Sequence, residues 1–272
     1  MTFVNLAEDK MGRRQPESGW PNRVGGTGRA GGAPPAGQGI RSRKALAEFV
    51  GTAFLVAAII GSGIAAARLS PDDVGIELLE NTLATAGALA AIIFAVGPVS
   101  GAHLNPVITL VDRFFGTTST KDALTYVVAQ FAGGVTGAIA ANTMFGDAVI
   151  SLSTRHRASG PHLLAEVIAT FGLVLIVFGL AGSGRSHLAP FAVGAYIAAA
   201  YWFTSSTSFA NPAVALGRMC SNSFAGIAPG SVVPFMGFEL IGGAFGASCV
   251  AVLYPQIRRS ARHVVVAQEE AA

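Results

Sequence analysis

At 272 residues, 51% hydrophobic and 12% charged, with a mean hydropathy of +0.54, the chain is too apolar for an ordinary soluble domain and points to a polytopic membrane protein. Its net charge of +3 follows from membrane topology, so no nucleic-acid partner is inferred from it. Cys220 and Cys249 lack the paired spacing of a metal site, and no disulfide, metal or cofactor is expected.

In chain order, residues 1–43 come first, rich in Gly, Pro and Arg (GTGRAGGAPPAGQG) and without an apolar signal-peptide core; they read as a disordered cytoplasmic tail. An apolar body follows over 44–257, and a short C-terminal tail over 258–272. Six stretches in the body, near 45–67, 81–99, 123–145, 162–182, 188–204 and 232–254, are long enough to cross hydrocarbon as helices. Two more apolar pieces, near 105–111 and 211–217, are too short to span. The fold class is therefore an all-α membrane protein. Fourteen Lys and Arg fall on the side of the termini and four (Arg68, Arg155, Arg157, Arg218) on the other, so both termini are expected in the cytoplasm.

The body is written twice. ALAEFVGTAFLVAAIIGSG (45–63) and LLAEVIATFGLVLIVFGLAG (163–182) both place a Glu after Leu-Ala or Leu-Leu-Ala, with a Thr four residues on, and both precede an Asn-Pro pair. The repeats run over about 44–145 and 161–255, each with three spans. An odd number of spans forces the second copy to enter the membrane from the opposite face, and such inverted repeats place a shared site near the midplane. The short segments holding Asn105-Pro106 and Asn211-Pro212 occupy corresponding positions and are the predicted site. Asn is a good N-cap and Pro is at ease in the first helical turn, so each pair starts a half-helix. Irregular backbone at this depth is tolerated only inside protein or against a watery cavity. Two half-helix N-termini facing one midplane present a positive barrier to cations and protons, while a small neutral hydroxylated molecule can pass.

The paired Asn-Pro motifs, Glu48 and Glu166, Gln130 in YVVAQFAGG and the SGAHLNP loop resemble the aquaporin and aquaglyceroporin (major intrinsic protein) family over about residues 43–257. The resemblance implies six helices plus two half-helices, a homotetramer in the lipid membrane and one pore per protomer. It assigns Asn105, Pro106, Val107, Asn211, Pro212 and Ala213 to the two pore motifs, with Val107 where the family usually has Ala. It also implies an outer selectivity filter of Thr85, Ser208, Val214 and a residue of the fifth span, either Ala199 or Tyr201. Val214 stands where most of the family has Arg. Arg218, one helical turn later and about 6 Å farther out, either supplies a displaced charge at the mouth or snorkels to water. Bacterial members with this Val and a segment similar to SNSFAGIAP are associated with arsenic detoxification, which implies passage of arsenous acid and related metalloid hydroxides.

Glu48 and Glu166 are ionisable groups inside spans; a proton relay is one reading, and acceptance of hydrogen bonds from the half-helix loops is favoured by their repeat positions. His103 is read as a brace for the loop, with protonation gating as the alternative. Asp112 is placed beside Arg113 or at the cytoplasmic mouth. No enzyme is expected. The sequence thus predicts a passive, multi-pass channel of a bacterial inner membrane for small neutral solutes. Arsenous acid or glycerol-like polyols are favoured, a general water or glycerol facilitator is the alternative, and a closed structural tetramer belongs to a different class.

Overall fold

The computed structural model describes residues 36–257, so the expectations for residues 1–35 and for the C-terminal tail lie outside the described residues. Eight α-helices run in order: α1 (Ala36–Leu69), α2 (Val74–Ser100), α3 (Pro106–Phe115), α4 (Thr120–Met144), α5 (Gly160–Gly182), α6 (Ala189–Phe203), α7 (Pro212–Met219) and α8 (Pro229–Leu253). Among the described residues there is no strand. Among the described residues five helices are long and apolar enough to cross a membrane. α6, at 15 residues, is not. It rises about 22 Å, and the three-residue 3-10 turn Ser186–Leu188 stacked before it adds about 6 Å, which together nearly match hydrocarbon about 30 Å thick.

α1 begins at Ala36, ahead of the expected tail boundary at residue 43. An ion pair at 2.6 Å between Arg41 Nε and Asp122 Oδ1 ties the added turns to the start of α4. Outward-facing apolar side chains such as Phe54, Leu83, Val128, Phe191 and Val252 are exposed. The fully buried side chains, by contrast, include Glu48, Gln130, Glu166 and Glu239. This inversion of a soluble protein's pattern suits lipid as the outer solvent.

α1 and α4 pack closely in the first half, and α5 and α8 in the second. Small residues allow it. A Cβ on Gly133 would run into the Phe49 carbonyl and Thr52, and one on Gly242 into the Val167 carbonyl and Thr170. Phe49 and Val167 each follow a motif glutamate by one residue, so the two halves pack in the same register. Gly87, by contrast, faces open space.

The half-helices α3 and α7 meet between these pairs. With 10 and 8 residues they rise about 15 and 12 Å, together roughly the hydrocarbon thickness. Each has its Asn as N-cap: Asn105 Oδ1 accepts from Val107 N at 2.9 Å, and Asn211 Oδ1 from Ala213 N at 3.0 Å and Val214 N at 3.3 Å. Proline fills the first turn of both. Each half-helix leans on a glycine of the other half, Gly134 beneath the Ala213 carbonyl and Gly243 beneath the Val107 side chain. Val107 therefore fits because residue 243 has no side chain.

Gly243→Ala should overpack this joint and cost about 1–3 kcal/mol, read as a lower unfolding temperature in detergent. Adding Val107→Ala removes the methyl groups in conflict and should restore most of that loss. Equal instability of the single and double variants would show that some other contact of Gly243 governs the joint.

Candidate functional site

The loops leading into α3 and α7 share one unusual backbone. Gly101, Ala102 and Leu104 have φ of 90°, 48° and 52°, and Thr207, Ser208 and Ala210, each 106 positions later, have 63°, 50° and 50°. Five of these six carry side chains in the left-handed region, at a cost of about 1–2 kcal/mol each. What holds them there is a buried carboxylate in each half. Glu48 accepts from His103 N at 2.9 Å, Leu104 N at 2.7 Å, Ser100 Oγ at 2.6 Å and Gln130 Nε2 at 2.8 Å. Glu166 accepts from Phe209 N at 3.0 Å and Ala210 N at 2.7 Å, with the Ser206 hydroxyl as a further donor. Successive backbone N–H groups converging on one anion form the concave site that such backbone twists create.

The two loops are locked to each other as well. Asn105 Nδ2 donates to the Ala210 carbonyl at 2.7 Å, and Asn211 Nδ2 donates to the Leu104 carbonyl at 2.8 Å. An amide nitrogen carries two N–H donors. One from each Asn joins the halves, and both Asn residues also line a central cavity of about 60 Å³. The walls are apolar in matched positions, Leu55 and Ile59 from α1 and Leu173 and Val177 from α5, while the polar line consists of the Asn side chains, His103, Thr85, Tyr201, Ser208 and Arg218.

Around this cavity the structure brings together Thr85, Tyr201, Ser208, Phe209, Val214 and Arg218. Tyr201 Oη donates to Thr85 Oγ1 at 3.3 Å. Ser208 Oγ is buried without a partner. Of the two fifth-span candidates, Tyr201 lines the cavity; Ala199 does not, since two residues along a helix turn a side chain by about 200° and Ala199 is exposed on the outer face. Arg218 is buried in the protein, where the snorkelling alternative would have it exposed. It is 2% exposed, its Nε donates to the Ala225 carbonyl, and its guanidinium carbon lies 3.4 Å from the centre of the Phe209 ring. The loop after α7 folds back to offer that carbonyl, which draws the side chain inward. Arg157, from the loop before α5, approaches the same ring at 5.4 Å and donates to the Gly226 carbonyl at 2.9 Å. Burial, then the neighbouring charge of Arg155, brings Arg157 down to about 10, so it remains cationic at neutral pH.

His103 lies on the cavity wall with Nδ1 3.1 Å from Thr109 Oγ1 and its ring edge-on to Tyr126. Asp112 takes neither of its expected places: it is fully buried and held by the Thr118 hydroxyl, while Arg113 Nε donates to Thr120 Oγ1 at 2.8 Å. Arg157 and Glu239 were given no site role by sequence reasoning. Only Glu239 leaves a trace there, in the match of FMGFELIGG to YVVAQFAGG. Cys220 and Cys249 are both free, and no cluster of His, Cys, Asp or Glu able to hold a metal occurs among the described residues.

The family description "Major intrinsic protein" matches residues 38–218. The chain belongs to the major intrinsic protein family. It is 43% identical over 226 residues to the aquaglyceroporin AqpS of Rhizobium meliloti, covering 82% of this chain and 94% of that one. It is also 30% identical over 240 residues to the probable aquaporin AqpM of Archaeoglobus fulgidus, covering 78% of this chain and 96% of the relative. Among solved structures, the aquaglyceroporin from Plasmodium falciparum superposes with a TM-score of 0.62 at 19% identity, over 80% of this chain and 98% of that one, which shows the fold. Membership makes the protein a multi-pass membrane protein of a family of small-solute channels, and the inverted pair of half-helices is the family's architecture in this chain.

Glu48→Leu leaves three buried donors, Ser100 Oγ, His103 N and Leu104 N, without an acceptor, at about 1–3 kcal/mol each, and takes one of two acceptors from Gln130 Nε2. The variant should fail to give a monodisperse peak in detergent chromatography. A wild-type profile and unfolding temperature would show that the loop does not depend on this carboxylate.

Proposed function

We propose that the chain forms a passive pore for small uncharged hydroxylated solutes, with arsenous acid and related metalloid hydroxides favoured and glycerol-like polyols carried as well. The observation that supports it is the outer part of the cavity, where Thr85, Tyr201 and Ser208 offer hydroxyls and Val214 offers an apolar wall. Ser208 Oγ, buried and without a partner, is free to exchange a hydrogen bond with a passing hydroxyl. Hydroxyls both donate and accept, which suits a neutral trihydroxide better than an ion needing a full hydration shell. The relative at 43% identity is named an aquaglyceroporin, which favours the same solute class. A general water or glycerol facilitator is the second reading, favoured by the bulk of Tyr201 and Arg218 in the lining of the same cavity.

In this reading Thr85, Tyr201, Ser208 and Val214 form the selectivity filter, and the Asn105 and Asn211 motifs form the midplane constriction. Exclusion of cations rests on the N-termini of α3 and α7, each worth about half a positive charge, with Arg218 adding to it from one turn farther out. The protein assembles as a homotetramer in a bacterial inner membrane. Residues 44–257 form the channel body, and both tails, 1–43 and 258–272, lie in the cytoplasm, the side with fourteen of the Lys and Arg.

Light scattering on proteoliposomes tests the proposal by comparing water, glycerol and arsenous acid uptake with that of empty vesicles. Selective acceleration of arsenous acid and glycerol is expected, and Val214→Arg should slow both by about tenfold or more while affecting water less, because it places a long cationic side chain in the wall. Fast water with both solutes excluded would favour the facilitator reading, and no acceleration of any solute would indicate a closed structural tetramer.

A further inference from the structure

The first half of the protein contains the template for an unassigned residue in the second. Gly133 and Gly242 contact equivalent atoms of α1 and α5 and are 109 positions apart; the same shift lays Gln130 on Glu239. Gly137 and Gly246, another pair 109 apart, meet the carbonyls of Ala53 and Phe171, each five residues after its motif glutamate. In the first half the Gln130 amide donates to Glu48 at 2.8 Å and thereby helps hold the loop that carries Asn105. In the second half the amide is replaced by a carboxyl. Glu239 is fully buried, as is Glu166, and the two side chains are within hydrogen-bonding reach.

As a carboxylate, Glu239 has no donor for either oxygen that meets hydrogen-bond geometry, although the Asn211 backbone N–H lies close by. The surroundings do not neutralise two negative charges. From α7 the Arg218 guanidinium acts on both carboxyls, but its Nε is engaged by the Ala225 carbonyl and its face by Phe209. From the loop before α5, Arg157 acts on Glu166 while donating to carbonyls of Phe224 and Gly226. Neither arginine forms an ion pair with either carboxyl among the described residues. Tyr201 on α6 acts on Arg218, and Asp112 on α3 is engaged by Thr118 and His103. Two adjacent buried carboxyls in such a place are stable with one proton between them, since both cannot stay ionised without hydration or a paired cation.

We propose that Glu239 carries a proton and donates it to Glu166, as the Gln130 amide donates to Glu48, which makes Glu239 the positioning residue for the loop and half-helix that carry Asn211. The protonated carboxyl has the donor that an amide would have, and Glu166 remains the anion that collects Phe209 N and Ala210 N. The role is independent of which solute the pore carries.

The test is infrared spectroscopy of the full-length protein in liposomes, together with unfolding temperature and solute uptake, on wild type, Glu239→Gln and Glu239→Leu. The wild type should show the carbonyl stretch of a buried protonated carboxylic acid, and Glu239→Gln should lose that band while keeping the wild-type unfolding temperature and uptake within about twofold, because the amide supplies the same donor. Glu239→Leu, which leaves Glu166 short of a donor, should lower the yield of folded, permeable protein by about tenfold. The proposal is overturned if Glu239→Gln is as damaged as Glu239→Leu, or if the band is absent from wild type or survives in Glu239→Gln. Because the infrared reading requires no transport, its failure and that of the proposed solute class are separable.

Discussion

The fold depends on a carboxylate buried where membrane proteins can least afford one. Glu48 and Glu166 each lose hydration on burial, at a cost of several kcal/mol per ion. Each recovers it by collecting charge-assisted hydrogen bonds, worth about 1.5–3 kcal/mol apiece, from the N–H groups of its half-helix loop. The same bonds retain side-chain-bearing residues in the left-handed region. Neither partner would be stable alone: the loop without its anion would carry bare N–H groups, and the anion without its loop would be an unpaired charge. Their mutual dependence lets irregular backbone sit at the middle of a membrane protein.

From that anchor the rest of the site follows. Once the loops are set, Asn105 and Asn211 cap their half-helices through Oδ1 and reach across to the opposite loop through Nδ2. The two halves therefore share their hydrogen bonds at the midplane, and displacement of one loop would strip the other of a donor. The contacts of Gly134 and Gly243 with the opposite half-helix add a steric version of the same reciprocity. In the first half-helix the larger Val107 is met by a bare glycine, so this departure in the motif has its compensation in the other repeat.

Much of this was legible in the residues. Two Asn-Pro pairs, each at the head of an apolar run too short to span, and two glutamates at matching places in long apolar runs suffice to predict an inverted repeat with paired half-helices. Other features depend on distances between segments remote in sequence. Arg218 turns inward because the Ala225 carbonyl is waiting for it, and nothing in the spacing of α7 announces that loop's path. Tyr201 rather than Ala199 faces the cavity because α6 ends at Phe203, and counting back from Asn211 across an irregular loop cannot fix which side of a helix a residue occupies. Glu239 was overlooked because the repeat is imperfect: Gln130 comes 25 positions after Asn105, whereas Glu239 comes 28 after Asn211, and the residue type changes.

Val214 has a consequence for how charge is arranged along the cavity. It contributes no donor from its side chain, in a cavity lining that also holds the hydroxyls of Thr85, Tyr201 and Ser208. The positive potential is instead distributed: the half-helix N-termini supply it at the midplane, and Arg218 supplies it one turn farther out. Arg218 lies over the Phe209 ring and is bonded through Nε to Ala225, so its charge is fixed in place by protein contacts. A fixed cation repels other cations through its field whether or not its N–H groups contact the solute. In the proposed function, separating charge from hydrogen bonding in this way leaves the hydroxyls of Thr85, Tyr201 and Ser208 to meet a neutral solute, with electrostatic exclusion handled by groups that the solute need not touch.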